Sequence, residues 1–259
     1  MLDKFLFDEA MDDPENVKTM LDIILSQNTN LKHPPQTEKE QRTSTDNRQI
    51  RLDVYAIDED DVIYEVEAQK ENTHNLPKRS RLYQGIIDSK LLPPGIIDFN
   101  LLNEVLIVLI MPFDLFGYGL YRYTFQMRCE EVPELELGDD ATRIFLNSHG
   151  KHPELVSQEL IELLEYMEKS TDAVAEECES ERIHQMHERV TRLKGNKEME
   201  IKFMQKWEEK EMERQEAYAE GERAGEARIN KLIMYLLEQG RNEDLAKAAA
   251  NSEYQAKYF

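Results

Sequence analysis

The stretch RLDVYAIDEDDVIYEVEAQ, residues 51–69, predicts a β-hairpin. Apolar residues alternate with polar ones on both sides of the acidic turn DEDD: Leu52, Val54 and Ala56 before it, and Val62, Tyr64, Val66 and Ala68 after it. Alternation with a period of two across a short turn is typical of two antiparallel strands that place one face on a hydrophobic core. The rest of the fold is predicted outward from this hairpin.

The register of the hairpin brings two acidic residues together. If Glu59–Asp61 form a three-residue loop, each apolar residue of one strand lies opposite an apolar residue of the other, as register selection requires. The same register sets Asp53 opposite Glu67, with Cβ atoms roughly 5 Å apart, where like charges repel. A divalent cation between them would remove that cost, and Gln69, on the face of Glu67, would orient a water molecule. The pattern alone leaves open that this polar face, including Glu65, is merely solvated.

Length, charge and cysteine content restrict the classes of protein. The 259 residues allow one sizeable core plus an appendage, and no apolar run approaches the roughly eighteen residues that cross a bilayer, so we expect no membrane partner. Two cysteines far apart indicate a reducing, cytoplasmic setting. A net charge of −21 argues against a general nucleic-acid binder. The acidic residues concentrate in the last third of the chain, so a DNA-binding face in the first half remains compatible with this charge.

The remaining sequence predicts helices around further strands. Asp12 or Asp13 can cap an early helix with Pro14 in its first turn, whereas residues 29–47 indicate a loop or a strand edge. A helix from Leu76 to Leu92 would turn apolar residues inward and basic ones outward; the inward set is Leu82, Tyr83, Ile86 and Ile87, and the outward set is Lys78, Arg79 and Arg81. The apolar run around Val105–Met111 is typical of a buried strand. We divide the chain into a core (1–150), a charged helical extension (151–221) and a small helix-turn-helix-like tail (222–259).

Three blocks carry a family resemblance: RLDVYAIDEDDVIYEVEAQ, KRSRLYQGIIDSKLLPPG and VLIVLIMPFDLFGYGLYRYTF. In order and spacing they resemble the Rpn-like recombination-promoting nucleases, nuclease-family transposases of the PD-(D/E)XK superfamily, over roughly residues 1 to 150. The resemblance implies an α/β fold: a restriction-endonuclease-like core with a mixed central sheet flanked by helices, plus a C-terminal helical extension. It also implies metal-dependent DNA cleavage in recombination or transposition. Asp53 and Glu67 would bind Mg²⁺, with Mn²⁺ or Ca²⁺ as alternatives, and Gln69 would stand where most of the superfamily has lysine.

Other residues are assigned around this site. Lys78, Arg79 and Arg81 form the most basic cluster of the chain and would hold DNA phosphates, although a solvated helix face explains them too. Tyr83 and Gln84 would support the site, Tyr83 mainly through core packing. The partner is DNA, and the C-terminal helices are candidates for homo-oligomer formation. The alternative function is a catalytically degenerate nuclease fold that acts as an interaction or oligomerisation module, motivated by the net charge and by the uncharged Gln69.

Overall fold

A computed structural model describes residues 1–41 and 50–258 of the chain. Six strands form one sheet: β1 (Gln36–Gln41), β2 (Ile50–Ile57), β3 (Ile63–Ala68), β4 (Val105–Met111), β5 (Arg122–Phe125) and β6 (Ala141–Asn147). β1 is an edge strand within the stretch 29–47 that was predicted as a loop or a strand edge, and residues 42–47 of that stretch lie outside the described residues.

The sheet is mixed and open, with the strand order β1-β2-β3-β4-β6-β5. β2 runs antiparallel to β1 and β3, whereas β3, β4 and β6 are parallel to one another and β5 closes the far edge antiparallel to β6. Every residue of β4 is buried, as its unbroken apolar run predicts. The prediction of an α/β protein with a mixed central sheet flanked by helices is confirmed.

Helices precede, interrupt and follow the strands. They are α1 (Lys4–Met11), α2 (Pro14–Leu25), α3 (Leu76–Asp88), α4 (Gln158–Glu168), α5 (Asp172–Glu177), α6 (Glu181–Lys194), α7 (Lys197–Glu238), α8 (Asn242–Ala250) and α9 (Ser252–Gln255), with short 3₁₀ turns at Phe99–Leu101, Pro153–Leu155 and Ala256–Tyr258. The Asp13 carboxylate accepts a hydrogen bond from the Glu15 backbone N–H at 3.0 Å and so caps α2. Across the described ranges, no helix is both long and apolar enough to cross a lipid bilayer.

Each face of the sheet carries its own hydrophobic core. On the first face, Val54, Ala56, Tyr64 and Val66 pack with apolar residues of α1, α2, α4 and α6. On the second face, β4 residues such as Ile107 pack with apolar residues of α3. Leu52 lies in the second core with Tyr55, although Val54 and Ala56 lie in the first. The prediction that Leu52 shares a face with Val54 and Ala56 is therefore wrong, because Leu52 packs in the second core.

The chain divides into two compact units, Met1–Gly195 and Asn196–Phe259. α4 and α6 belong to the first unit, since their side chains Tyr166, Ile183 and Met186 are fully buried in its first core. This boundary differs from the predicted one at residue 150, because an amphipathic helix after the sheet still covers the sheet. The predicted boundary at 221 falls inside the continuous helix α7, and the second unit has a small core of its own around Leu232 and Leu236.

Candidate functional site

β3 places two acidic side chains on the second face of the sheet. Glu65 is paired with Tyr55 on one side and with Ile107 on the other, and its exposed fraction is 0%. Glu67, two residues along, lies next to Leu109 of β4 and is also buried. The interpretation of these side chains as a solvated polar face is therefore wrong, because α3 covers the second face, as α1, α2, α4 and α6 cover the first.

Asp53 lies one step beyond the residues that pair β2 with β3. The pairs Val54–Val66 and Ala56–Tyr64 confirm the predicted hairpin register, and the pairing of the two strands ends at Val54, next to Asp53. The Asp53 side chain is buried and accepts a hydrogen bond from Lys4 Nζ in the first turn of α1. Lys4 Nζ also lies 3.6 Å from Oδ1 of Asp8, one turn further along the same helix.

A second basic side chain approaches Glu67 from α3. Arg79 Nη2 donates a hydrogen bond to Glu67 Oε1 at 2.5 Å and another to Gln69 Oε1. Arg79 is 24% exposed, so the prediction that it points outward is wrong; Lys78 and Arg81 are exposed as predicted. The other end of the Gln69 amide is engaged too, since Nε2 donates to the Glu71 carbonyl at 2.5 Å. In this arrangement Gln69 orients Arg79.

The two supporting residues occupy different places. Tyr83 is buried in the second core, and its ring centroid lies 5.9 Å from the guanidinium carbon of Arg79, so it packs directly behind the site. Gln84 is buried as well, but its Nε2 donates to Asp88 Oδ1 at 2.9 Å within α3. The described contacts bring Tyr83 to the acidic cluster and leave Gln84 with Asp88.

Burial changes the protonation of both acids on β3. It raises the pKa of Glu67 to about 7, against the opposite effects of Arg79, Lys4 and the Tyr83 hydroxyl, while the charge of Asp53 adds to the rise. Burial raises the pKa of Glu65 well above its usual range, and the charge of Glu67 raises it further. Lys4, Asp53, Glu65, Glu67 and Arg79 therefore form one electrostatic cluster, which we call the acidic site.

The acidic site suits a divalent cation that keeps most of its water. Oε2 of Glu67 is buried and has no hydrogen-bond partner within residues 1–41 and 50–258, so one oxygen is left for a ligand. In the same part of the chain, no group of three or more histidine, cysteine, aspartate or glutamate side chains is arranged to hold a metal ion. Mg²⁺ commonly takes only one or two protein carboxylates and fills its shell with water and substrate oxygens. Asp53 and Glu67 are the residues of the acidic site that could hold such an ion.

Two residues of the acidic site are not evident from the sequence. Lys4 stands 49 positions before Asp53, and such a distant ion pair has no local pattern. Glu65 lies on the same face of β3 as Glu67, which is a usable signal, but its complete burial depends on the helix packed above it.

We compared the chain with known protein families, with curated proteins and with solved structures, and none matches.

Proposed function

We propose that this protein is a divalent-metal-dependent DNA endonuclease that acts in recombination or transposition. The observation that carries the proposal is the convergence of Asp53 and Glu67 from neighbouring strands into a buried site that also holds Lys4 and Arg79. Paired carboxylates with an unpartnered oxygen, next to basic side chains, suit a reaction at a phosphodiester. The finer fold assignment, a restriction-endonuclease-like PD-(D/E)XK core, is part of this proposal and is supported by the mixed sheet.

Each residue has a task in the proposed reaction. A bound Mg²⁺ would polarise the phosphoryl oxygen and lower the pKa of the attacking water. Asp53 and Glu67 would hold the ion, and Arg79 would fix the Glu67 carboxylate through its hydrogen bond. Lys78 and Arg81, both exposed on α3, would contact the phosphates of the DNA backbone. Gln69 would position the water after it exchanges its contact with Arg79 or with Glu71.

A plasmid-nicking assay tests the proposal. The purified protein should convert supercoiled DNA to nicked or linear DNA with Mg²⁺ or Mn²⁺ and should stop when EDTA is added. Asp53→Ala and Glu67→Ala should each reduce the rate by at least about a hundredfold, because a metal ligand stabilises the transition state by several kcal/mol. Asp139→Ala, at an exposed acid outside the acidic site, is the matched control and should cleave like the wild type. Cleavage that is absent, or unaffected by Asp53→Ala, contradicts the proposal.

The second candidate function is a catalytically degenerate module for interaction or oligomerisation. It is favoured by the ion pairs themselves, since Lys4 and Arg79 already neutralise both carboxylates, and Gln69 brings no charge to the site. Calorimetry separates the two candidates. Mn²⁺ binding that disappears in Glu67→Ala supports the nuclease, whereas a wild-type protein that binds no divalent cation and cleaves no DNA supports the module.

A further inference from the structure

Among the described residues, each carboxylate proposed as a metal ligand has one basic partner, Lys4 for Asp53 and Arg79 for Glu67. The two partners differ in exposure and packing. Arg79 is 24% exposed, lies against the Tyr83 ring and is held by the Gln69 amide. The Lys4 side chain is 46% exposed and extends from the first turn of α1. Arg79 is thus held by packing and by Gln69, whereas about half of the Lys4 side chain is exposed to solvent.

Lys4 also has a second acidic residue within reach. Its Nζ lies 3.6 Å from Asp8 Oδ1 while it bonds to Asp53, and Lys4 and Asp8 are one helical turn apart on α1. Residues four apart on a helix lie on the same face, so their side chains meet without any change of the backbone. A small rotation of the lysine side chain therefore transfers the ammonium from Asp53 toward Asp8.

A metal ion and an ammonium group compete for one carboxylate oxygen. Mg²⁺ requires its oxygen ligands at about 2.0–2.1 Å, and a cation already in contact with Asp53 would stand beside it. Two positive charges at that separation repel strongly in a partly buried site, where water screens them poorly. A divalent cation that binds Oδ1 of Asp53, the oxygen that Lys4 contacts, would therefore displace Lys4.

We propose that Lys4 is a further residue of the acidic site, an internal cation that neutralises Asp53 and moves toward Asp8 when a divalent metal binds. The inference rests on the proposed function, since it takes Asp53 as a metal ligand. It assigns Lys4 a positioning role: the residue holds Asp53 in the absence of metal and sets the metal affinity. In this assignment Asp8, buried beside Asp53, serves as the second position of the ammonium.

Calorimetric titration of the full-length chain with Mn²⁺, in the absence of DNA, tests the assignment. Lys4→Met removes the competing charge and should bind Mn²⁺ roughly fivefold or more tightly than the wild type, as expected for coupled binding of two ligands. Lys4→Arg keeps the charge and should stay nearer to the wild type. Lys18→Met is the matched control on α2, where Lys18 pairs with Asp22 at 2.7 Å, and should leave the affinity unchanged.

The outcomes separate this inference from the proposed function. If Asp53→Asn abolishes Mn²⁺ binding but Lys4→Met leaves the affinity equal or weaker, the metal site stands and the role of Lys4 is overturned. If neither the wild type nor Lys4→Met binds Mn²⁺, the metal site and the inference fail together. Lys4→Gln, a second neutral variant with a polar side chain, should strengthen binding as Lys4→Met does, and circular dichroism checks that both variants are folded.

Discussion

At the scale of single residues, Glu65 and Glu67 show how different two neighbouring acids on one strand can be. Glu67 has a counter-ion in Arg79, which donates to its Oε1. Its Oε2 has no hydrogen-bond partner among the described residues, so this oxygen could bind a ligand. Neither carboxylate oxygen of Glu65 has a hydrogen-bond partner in the described portion of the chain, and the residue is fully enclosed. A buried carboxyl without a partner takes up a proton rather than carry its charge. Of the two acids on β3, we therefore propose Glu67, and not Glu65, as the metal ligand beside Asp53.

The first prediction concerns pH and Glu67. Burial raises the pKa of Glu67 to about 7 in the folded protein, from about 4.3 in the unfolded chain. The folded state thus binds the proton more tightly, so this contribution to stability is full below about pH 4 and is lost as the pH rises through about 7. Glu67→Gln removes this titration. Between pH 5 and 8, the free energy of unfolding of the variant should therefore fall by on the order of 2–3 kcal/mol less than that of the wild type.

Urea unfolding at several pH values measures the effect of Glu67→Gln. Glu65 stays in place in that variant, and its raised pKa keeps a slope of the same sign, so the curve flattens without becoming level. Glu130→Gln, at an exposed acid, is the control and should follow the wild-type curve. A Glu67→Gln curve parallel to the wild type would show that Glu67 titrates normally.

The second prediction distinguishes the two acids as ligands. Glu65→Gln keeps the size of a buried side chain whose pKa burial raises well above its usual range. The variant should therefore bind Mn²⁺ within about threefold of the wild type, well below a tenfold or 1.4 kcal/mol effect. Glu67→Gln removes the charged oxygen and should lose measurable binding. Calorimetry at pH 7.5 compares the two isosteric variants, and loss of binding in Glu65→Gln would make Glu65 a ligand.

At the scale of elements, α3 presents its basic residues in two directions. Arg79 turns toward β3 and pairs with Glu67, whereas Lys78 and Arg81 are exposed. A helix that begins at Leu76 and packs through Tyr83, Ile86 and Ile87 places Arg79, but not Arg81, over the sheet. Different residues of α3 therefore support the site and make the proposed contact with phosphates: Arg79 has the first task, and Lys78 and Arg81 have the second.

The third prediction uses that separation. Arg79→Met leaves the Glu67 carboxylate buried without its cation, and should destabilise the protein at pH 8 by about 1–3 kcal/mol. Arg81→Met, in the same helix and with the same change of side chain, should stay within about 0.5 kcal/mol of the wild type. Chemical denaturation of both variants measures the difference. Equal effects would mean that the ion pair with Glu67 does not stabilise the fold.

At the scale of the whole molecule, the sheet and both of its cores lie within Met1–Gly195. Helices that follow the last strand complete the first core, where Tyr166 and Ile183 are fully buried. The Glu162 carboxylate also accepts hydrogen bonds from the backbone N–H groups of Glu179 and Ser180, at 3.0 and 3.1 Å, and so ties α4 to the start of α6. The compact unit that contains the sheet is therefore longer than the roughly 150 residues that the family resemblance covers.

The fourth prediction follows from this boundary. A chain that ends at Gly195 should fold and unfold cooperatively, because it keeps every residue of both sheet cores. A chain that ends at Gly150 loses α4 and α6, exposes the first core and should aggregate or unfold. Circular dichroism, size-exclusion chromatography and thermal unfolding compare the two. A stable chain of 150 residues would place the boundary where the sequence alone predicts it.

The sequence by itself determined the elements whose signals are local. Period-two alternation predicts β2, β3 and their register, the apolar run predicts β4, and Asp13 with Pro14 predicts the start of α2. Each of these rests on neighbours within a few residues, on strand pleat, turn length and helix capping. Asp53 and Glu67 both lie on this hairpin, so the two residues at the centre of the proposed site were chosen from local signals alone.

Only the tertiary structure decided what surrounds that centre. Leu52 packs in the second core, and Glu65 is buried between two neighbouring strands. Arg79 turns inward to Glu67, and Lys4 bonds to Asp53, which is 49 positions away in the sequence. A strand pattern indicates which parity is apolar, but it does not indicate whether a helix will cover the polar parity as well. Long-range ion pairs leave no periodic signal in a sequence, because they depend on how separate elements pack and not on the spacing of residues along the chain.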